Sequence, residues 1–335
     1  MSKSINKKYK FRPKNILSAN EYIEGIKTGD LQILSEALTL LESNNPDKRK
    51  IANDILSNIS SFNNNSIRVG VTGSPGVGKS SFIEAFGLML CNMGHKVAVL
   101  AIDPSSQQSG GSILGDKTRM VKLGTNKNAF IRPSPSKGIL GGIAKYTNDA
   151  ILLCESAAFD IIIIETVGVG QSETDVHKMV DFFLLLVLAG AGDELQGIKR
   201  GIMELADGVI ITKADGNNKK LAEKAKSSYN NILNLFPRNK NTWKVNALSC
   251  SAINNTGIDE VWKMIEKFNK SNSKNKRSSQ NIYWMMNYIE NQLKESFFAN
   301  SKVKKQTLII KKQLENGTIS PFIAAEILLK TYNEN

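Results

Sequence analysis

The chain has 335 residues, of which 41% are hydrophobic and 22% charged, a balance that suits a soluble globular protein of two domains. Its 44 Lys+Arg against 31 Asp+Glu give a formal charge of +13, but the lysines are scattered and no aromatic-basic reading motif appears, so nucleic acid is not an expected partner. Cys91, Cys154 and Cys250 share no C-x-x-C spacing and His95 and His177 stand alone, which excludes a disulfide framework, a zinc cage and a His-based metal site.

The first residues, Met1-Ser2-Lys3-Ser4, lead into no apolar leader segment, and residues 1–15 read as basic and loose. The longest apolar stretch, residues 182–191, is too short to span a bilayer and suits a buried strand; no membrane association and a cytoplasmic location are expected. Ser18-Ala19-Asn20-Glu21 is a capping box that starts a helix at Ser18. Leu31, Leu34, Leu38 and Leu41 recur at helical spacing, Asn45-Pro46 marks a turn, and Ile51, Ile55 and Ile59 resume the period. Residues 1–62 therefore read as an N-terminal helical extension, with Asn63-Asn64-Asn65-Ser66 leading out of it.

From residue 63 to 272, apolar runs alternate with helical stretches, the pattern of a mostly parallel, doubly wound α/β sheet. The expected strands are 67–72, 96–102, 161–164, 182–188, 208–212 and 245–249, continuous in hydrophobicity because both faces are buried. Residues 271–280 read as a polar, basic linker. Beyond it, residues 273–335 form a C-terminal helical arm, in which Ile282, Met285, Ile289 and Leu293 trace a stripe that needs a partner surface and Ser320-Pro321 starts a further helix.

Gly73-Ser74-Pro75-Gly76-Val77-Gly78-Lys79-Ser80 fits G-x-x-x-x-G-K-[ST] between a strand and a helix. The glycines leave room for backbone N–H groups to converge on phosphate oxygens. Gly76, Val77, Gly78 and Ser81 belong to that cradle, Lys79 reaches the β- and γ-phosphates, and the Ser80 hydroxyl ligates Mg²⁺. Asp103, closing the second strand, either holds the metal or caps the turn at Pro104. Asp116 and Arg119 lie in a Gly-rich segment that either orders on nucleotide or stays a solvated charged loop. Glu165, at the end of an isoleucine run, occupies the Walker B position beside the metal, and Gly168 leaves an N–H free for a γ-phosphate. Gln171 either orients the attacking water or is a surface polar residue.

Thr212-Lys213-Ala214-Asp215 follows a strand, where GTPases carry Asn-Lys-x-Asp. Asp215 accepts guanine N1–H and N2–H, a donor pair that adenine lacks, and Lys213 covers the base. Thr212 in place of Asn is expected to weaken the tether to the phosphate loop. Ser251-Ala252 fits the loop whose backbone N–H meets guanine O6, so GTP or GDP with Mg²⁺ is the expected ligand.

The segments 101–106, 110–120, 165–173 and 192–199, the last reading Gly192-Asp193-Glu194-Leu195-Gln196-Gly197-Ile198-Lys199, resemble the GTPases associated with methylmalonyl-CoA mutase, whose bacterial members are called MeaB or ArgK. The resemblance runs from residue 20 to the C-terminus. It implies a P-loop GTPase domain with an N-terminal helical extension and a C-terminal dimerisation arm. It also implies a chaperone whose GTP hydrolysis gates adenosylcobalamin loading and protects a B12-dependent acyl-CoA mutase. Carried over by motif, Lys79, Asp116, Glu165 and Lys199 are catalytic, Asp103 shapes the metal site, and Asp193, Gln196 and Lys199 form a switch that couples nucleotide state to the partner. The alternative is a nucleotide-dependent kinase or ATPase tied to arginine and ornithine transport.

Overall fold

A computed structural model describes residues 16–43, 45–59, 65–103, 120–135, 140–166, 172–189, 200–235 and 243–334. The chain divides into two compact units, Met1–Ser271 and Asn272–Asn335. The expected loose start at residues 1–15 lies outside the described residues.

The first unit opens with three helices, α1 (Ala19–Lys27), α2 (Leu31–Leu41) and α3 (Pro46–Asn58). The capping box forms as the sequence requires: the Glu21 N–H donates to Ser18 Oγ at 3.4 Å and the Ser18 N–H to Glu21 Oε2 at 2.7 Å. Asn45 caps α3, with Pro46 at the first position, where a missing N–H costs nothing. The leucine and isoleucine stripes point inward, burying Ile26, Leu34, Leu38 and Ile55.

Then follow β1 (Ile67–Gly73), α4 (Lys79–Asn92), β2 (Val97–Asp103), α5 (Val121–Gly124), β3 (Ala129–Pro135), α6 (Leu140–Ser156), β4 (Ile161–Glu165), α7 (Ser172–His177), β5 (Phe182–Leu188), α8 (Arg200–Leu205), β6 (Gly208–Thr212), α9 (Lys219–Leu235) and β7 (Ala247–Ser249). The seven strands form one sheet in the order β3-β2-β4-β1-β5-β6-β7, and every pairing is parallel. Alternate residues of the strands serve two cores. Phe182, Leu184 and Leu186 pack with Phe82, Phe86 and Trp262 on one face, while Leu185 and Val187 pack with Ala222, Tyr229 and Leu233 on the other. This double burial is why the strands read as unbroken apolar runs.

β3 is absent from the sequence expectation. Pro133 and Pro135 argue against a strand because each removes a ladder donor. The topology resolves the conflict: β3 is the sheet edge, and the prolines share the parity of Ala129, whose N–H turns away from β2 to Asn126 O at 3.0 Å. Their missing donors therefore fall on the outer side. Arg132, of the opposite parity, is half-buried and donates to Glu42 Oε2 at 2.8 Å, fastening the helical extension to this edge.

β1 is the topological switch point. The chain leaves it toward β2 on one side, returns through β4, then crosses β1 to reach β5. A crevice opens at the carboxyl ends of such strands, and there the glycine-rich turn begins.

The expected linker at 271–280 is helical, inside α10 (Ile258–Ala299). Its residues are Asn, Ser, Lys, Arg and Gln, and without Gly or Pro nothing interrupts the helix begun upstream. In the second unit, α11 (Ser301–Glu315) is capped by Asn300 and α12 (Pro321–Asn333) by Ser320, the start expected from Ser320-Pro321. Val303, Ile310 and Ala324 are buried there, whereas Ile282, Met285, Ile289 and Leu293 remain 62%, 54%, 44% and 60% exposed. Among the described residues no helix is long and apolar enough to cross a membrane.

Candidate functional site

The phosphate loop runs from the end of β1 into α4. Gly73 (φ 152°), Gly76 (φ 82°) and Gly78 (φ 96°) take backbone conformations that a side chain resists, and at Gly73 a Cβ would also stand 2.5 Å from the Leu186 carbonyl oxygen. Gly78 is the N-cap of α4 and offers no side-chain cap, so the first N–H groups of the helix face the loop's concavity. That is an anion site.

Side chains hold the loop's carbonyls. Lys79 Nζ donates to Gly73 O at 2.8 Å and Ser74 O at 3.1 Å, Lys213 Nζ donates to Gly76 O at 2.9 Å, and Thr212 Oγ1 donates to Val77 O at 2.7 Å. Because each peptide unit is rigid, fixing a carbonyl also fixes the direction of the next N–H. Thr212 keeps a tether in place of Asn: its hydroxyl reaches the loop directly, with Val187 O as a second acceptor at 3.2 Å. Thr212 is buried at the end of β6, close enough to the loop for a short hydroxyl to span the distance.

Lys79 is 8% exposed, and burial pushes its ammonium below the ordinary lysine value, opposed by the charges of Glu165 and Glu173. Glu165, paired with Val71 in the β1–β4 register, accepts a hydrogen bond from Ser80 Oγ at 3.1 Å. Adjacent hydroxyl and carboxylate oxygens beside a phosphate cradle are the donor set a hard Mg²⁺ ion takes, so Ser80 and Glu165 fit the metal. Asp103 ends β2 opposite Pro135 of β3. Ser81 is exposed on the first turn of α4.

At the base end, Lys213 (φ 54°) leaves β6 in a left-handed conformation, and Asp215 lies two residues beyond. Ser251 Oγ donates to Asp215 Oδ2 at 2.5 Å, and the Ala214 N–H donates to Cys250 O at 3.0 Å. The two segments that the sequence assigned to guanine are therefore joined. Ala252 is half-buried against the core.

Sequence reasoning overlooked three hydroxyl roles: Thr212 on the loop, Ser251 on Asp215, and Thr166, whose Oγ1 donates to Thr72 Oγ1 at 2.9 Å just past Glu165. The available signal was a hydroxyl residue at the carboxyl end of each of these strands or in the loop that follows. Asp116, Arg119, Gly168, Gln171, Asp193, Gln196 and Lys199 lie outside the described residues.

The family model described as methylmalonyl Co-A mutase-associated GTPase MeaB matches residues 34–302. The chain is 44% identical over 309 residues to GTPase ArgK of Escherichia coli (strain K12), covering 90% of this chain and 92% of that protein. It is 43% identical over 323 residues to the mitochondrial methylmalonic aciduria type A homolog of Mus musculus, covering 92% and 78%. A crystal structure of an LAO/AO transport system kinase is similar with a TM-score of 0.72 at 35% identity, covering 95% of this chain and 99% of that one.

Proposed function

The chain belongs to the family of methylmalonyl-CoA mutase-associated GTPases described as MeaB and hydrolyses GTP, and from that premise we propose that hydrolysis gates the loading of adenosylcobalamin onto a B12-dependent acyl-CoA mutase and protects that mutase from inactivation. The observation that carries this reading is the family match over residues 34–302, which includes both the nucleotide site and the segment 192–199.

In this reading the N–H groups of residues 76–81 bind the β-phosphate, and Lys79 turns its ammonium from the Gly73 and Ser74 carbonyls to the phosphate oxygens. Ser80, Glu165 and Asp103 hold Mg²⁺, which when bound neutralises charge on the transferring phosphate. Asp116 and Lys199 complete the catalytic set, and Gly168 senses the γ-phosphate. Asp215, held by Ser251, reads guanine, and Ala252 offers its N–H to O6. Asp193, Gln196 and Lys199 couple nucleotide state to the mutase. The exposed stripe at Ile282, Met285, Ile289 and Leu293 closes against a second copy, making a homodimer.

GTP turnover measured alone and with purified B12-dependent acyl-CoA mutases tests the proposal. Slow intrinsic hydrolysis accelerated by one mutase is the expected result; unchanged turnover with every such mutase overturns the partner assignment while leaving the GTPase intact. The name of the transport system kinase structure supports the rival reading, a kinase tied to amino-acid transport. Competition between ATP and GTP separates the two, because Asp215 has no donor pair to accept from adenine. A mass twice that of one chain in solution tests the dimer.

A further inference from the structure

α7 buries a second carboxylate close to the phosphate loop. Glu173 stands in its first turn and is 3% exposed. A carboxylate this deep is costly unless opposite charge faces it. The helix lies tightly on β1, because a Cβ on Gly70 would stand 3.1 Å from both Val176 Cγ1 and Val180 Cγ2. It joins β4 to β5, and both run parallel to β1, so α7 runs back against the strands and starts at their carboxyl end.

Glu173 precedes Val176 by three residues and shares its face. Those three residues carry it about 4.5 Å along β1 from the level of Gly70, and its side chain leans further toward the helix N-terminus. Gly73 lies about 10 Å along the strand from Gly70. The carboxylate is thus raised toward the start of the phosphate loop, where Lys79 Nζ rests on Gly73 O and Ser74 O. Lys79 gives its hydrogen bonds to those carbonyls, so the charge of Glu173 acts on it through space. Glu165 acts on Lys79 too, but it sits beside Ser80, where a bound cation covers its charge. Glu173 belongs to no metal set, and its charge is still there when a polyphosphate enters.

We propose that Glu173 limits how tightly the phosphate loop holds its nucleotide: its buried charge offsets part of that of Lys79 and repels the phosphates, which quickens the release of GDP. The inference rests on the phosphate loop as the seat of the nucleotide's phosphates. Glu173 touches no reacting atom in this account; it sets the charge balance in which Lys79 works.

Calorimetry of the full chain with Mg²⁺ and either GDP or inorganic pyrophosphate tests it, together with the KM for GTP. Glu173→Gln removes the charge and keeps the shape. It is expected to tighten GDP and pyrophosphate alike by about ten-fold, with slower release of GDP and a lower KM, as one nearby charge acting in a partly buried site would. A residue that only props up the fold would weaken binding when replaced, so the gain is the signature. Glu173→Asp, which retains the charge, keeps the wild-type affinity. Glu173→Met, apolar and of similar length, should give the same gain and serves if the glutamine cannot be buried. The inference is overturned if both neutral variants bind GDP as the wild type does or more weakly. It is overturned too if GDP tightens while pyrophosphate does not, which would place the effect at the base. Absence of pyrophosphate and GDP binding by the wild-type chain is a different failure, sinking the phosphate loop itself.

Discussion

The two ends of the central strands both bury charge and use it in opposite ways. At the amino end, Arg68 makes a two-pronged pair with Glu155 at 2.8 Å per bond, Ser66 Oγ donates to the same carboxylate at 2.5 Å, and the Arg68 N–H donates to Asp181 Oδ2 at 2.9 Å. Each charge is satisfied by a permanent partner. At the carboxyl end, Lys79 is held by two backbone carbonyls and Ser80 by Glu165, partners that a phosphate or a cation can replace. The same sheet thus has a closed end that fixes the fold and an open end whose bonds are exchangeable. A buried ammonium resting on neutral carbonyls is only partly compensated by the charges of Glu165 and Glu173, and a ligand bearing negative charge relieves that.

The largest effect breaks the open end alone. Lys79→Met removes a charge that acts on the transferring phosphate, and single electrostatic groups of this kind are worth about 10²–10³-fold in turnover. GTP hydrolysis should fall by that factor, while thermal stability holds or rises because a partly compensated buried charge becomes apolar. A Lys79→Met protein that hydrolyses GTP at the wild-type rate would remove the phosphate loop from the chemistry.

The mirror experiment is Glu155→Ala. Arg68 then loses its partner while its side chain is only 12% exposed. Breaking a buried pair on one side costs about 3–5 kcal/mol of stability, read by urea denaturation. Hydrolysis per folded molecule should not change, since Glu155 lies at the far end of the strands. A loss of turnover larger than the loss of folded protein would show that the two ends are coupled.

Thr212→Val probes the link between base and phosphate sites, with a smaller effect. It deletes the donor shared by Val77 O and Val187 O, and a lost buried hydrogen bond costs about 1–3 kcal/mol. GDP affinity is expected to drop by about ten-fold, and Thr212→Ser should keep it. Affinity unchanged in Thr212→Val would mean that Lys213 and Lys79 hold the loop unaided.

The sequence made the open end more legible than the closed one. Gly73–Ser80 announced itself because backbone chemistry demands glycine at fixed spacing, Glu165 because it ends an apolar run, and Asp215 because it closes the Thr-Lys-x-Asp motif after one. The Arg68–Glu155 pair joins residues 87 apart, and no local signal marks such a partner. β3 was hidden because Pro133 and Pro135 are tolerable only on an edge, and edge position is a property of the assembled sheet. The helix through 271–280 was hidden for the converse reason: polarity resembles a linker, and only continuity with the apolar start of α10 decides otherwise. The bond from Thr212 to Val77 was not legible from residue type, since the reach of a hydroxyl depends on a distance that spacing does not carry.

The pH response of Lys79 gives the finest test of the contrast between the ends. Burial lowers its pKa from the ordinary 10.5, so on an alkaline titration it releases its proton before an ordinary lysine would. Below the lowered pKa the ammonium is intact and GDP affinity is full; as pH rises through it toward 10.5, affinity should decline. Stability runs the other way across that window. The unfolded chain holds a proton that the folded chain has released, so stability contributed by this group increases with pH. Bound phosphate opposes the effect of burial and raises the pKa again, so complex formation takes up protons there. Calorimetry of GDP binding at a series of alkaline pH values below 10.5, in two buffers of different ionisation enthalpy, reads that uptake directly. Lys79→Arg should reduce it to the part that belongs to guanine N1–H, which itself ionises at alkaline pH, because guanidinium stays charged throughout. If the wild-type chain binds GDP with a pH-independent affinity and no proton uptake over this range, Lys79 is not the group the phosphate replaces carbonyls to reach, and the open end owes its exchangeability to the backbone alone.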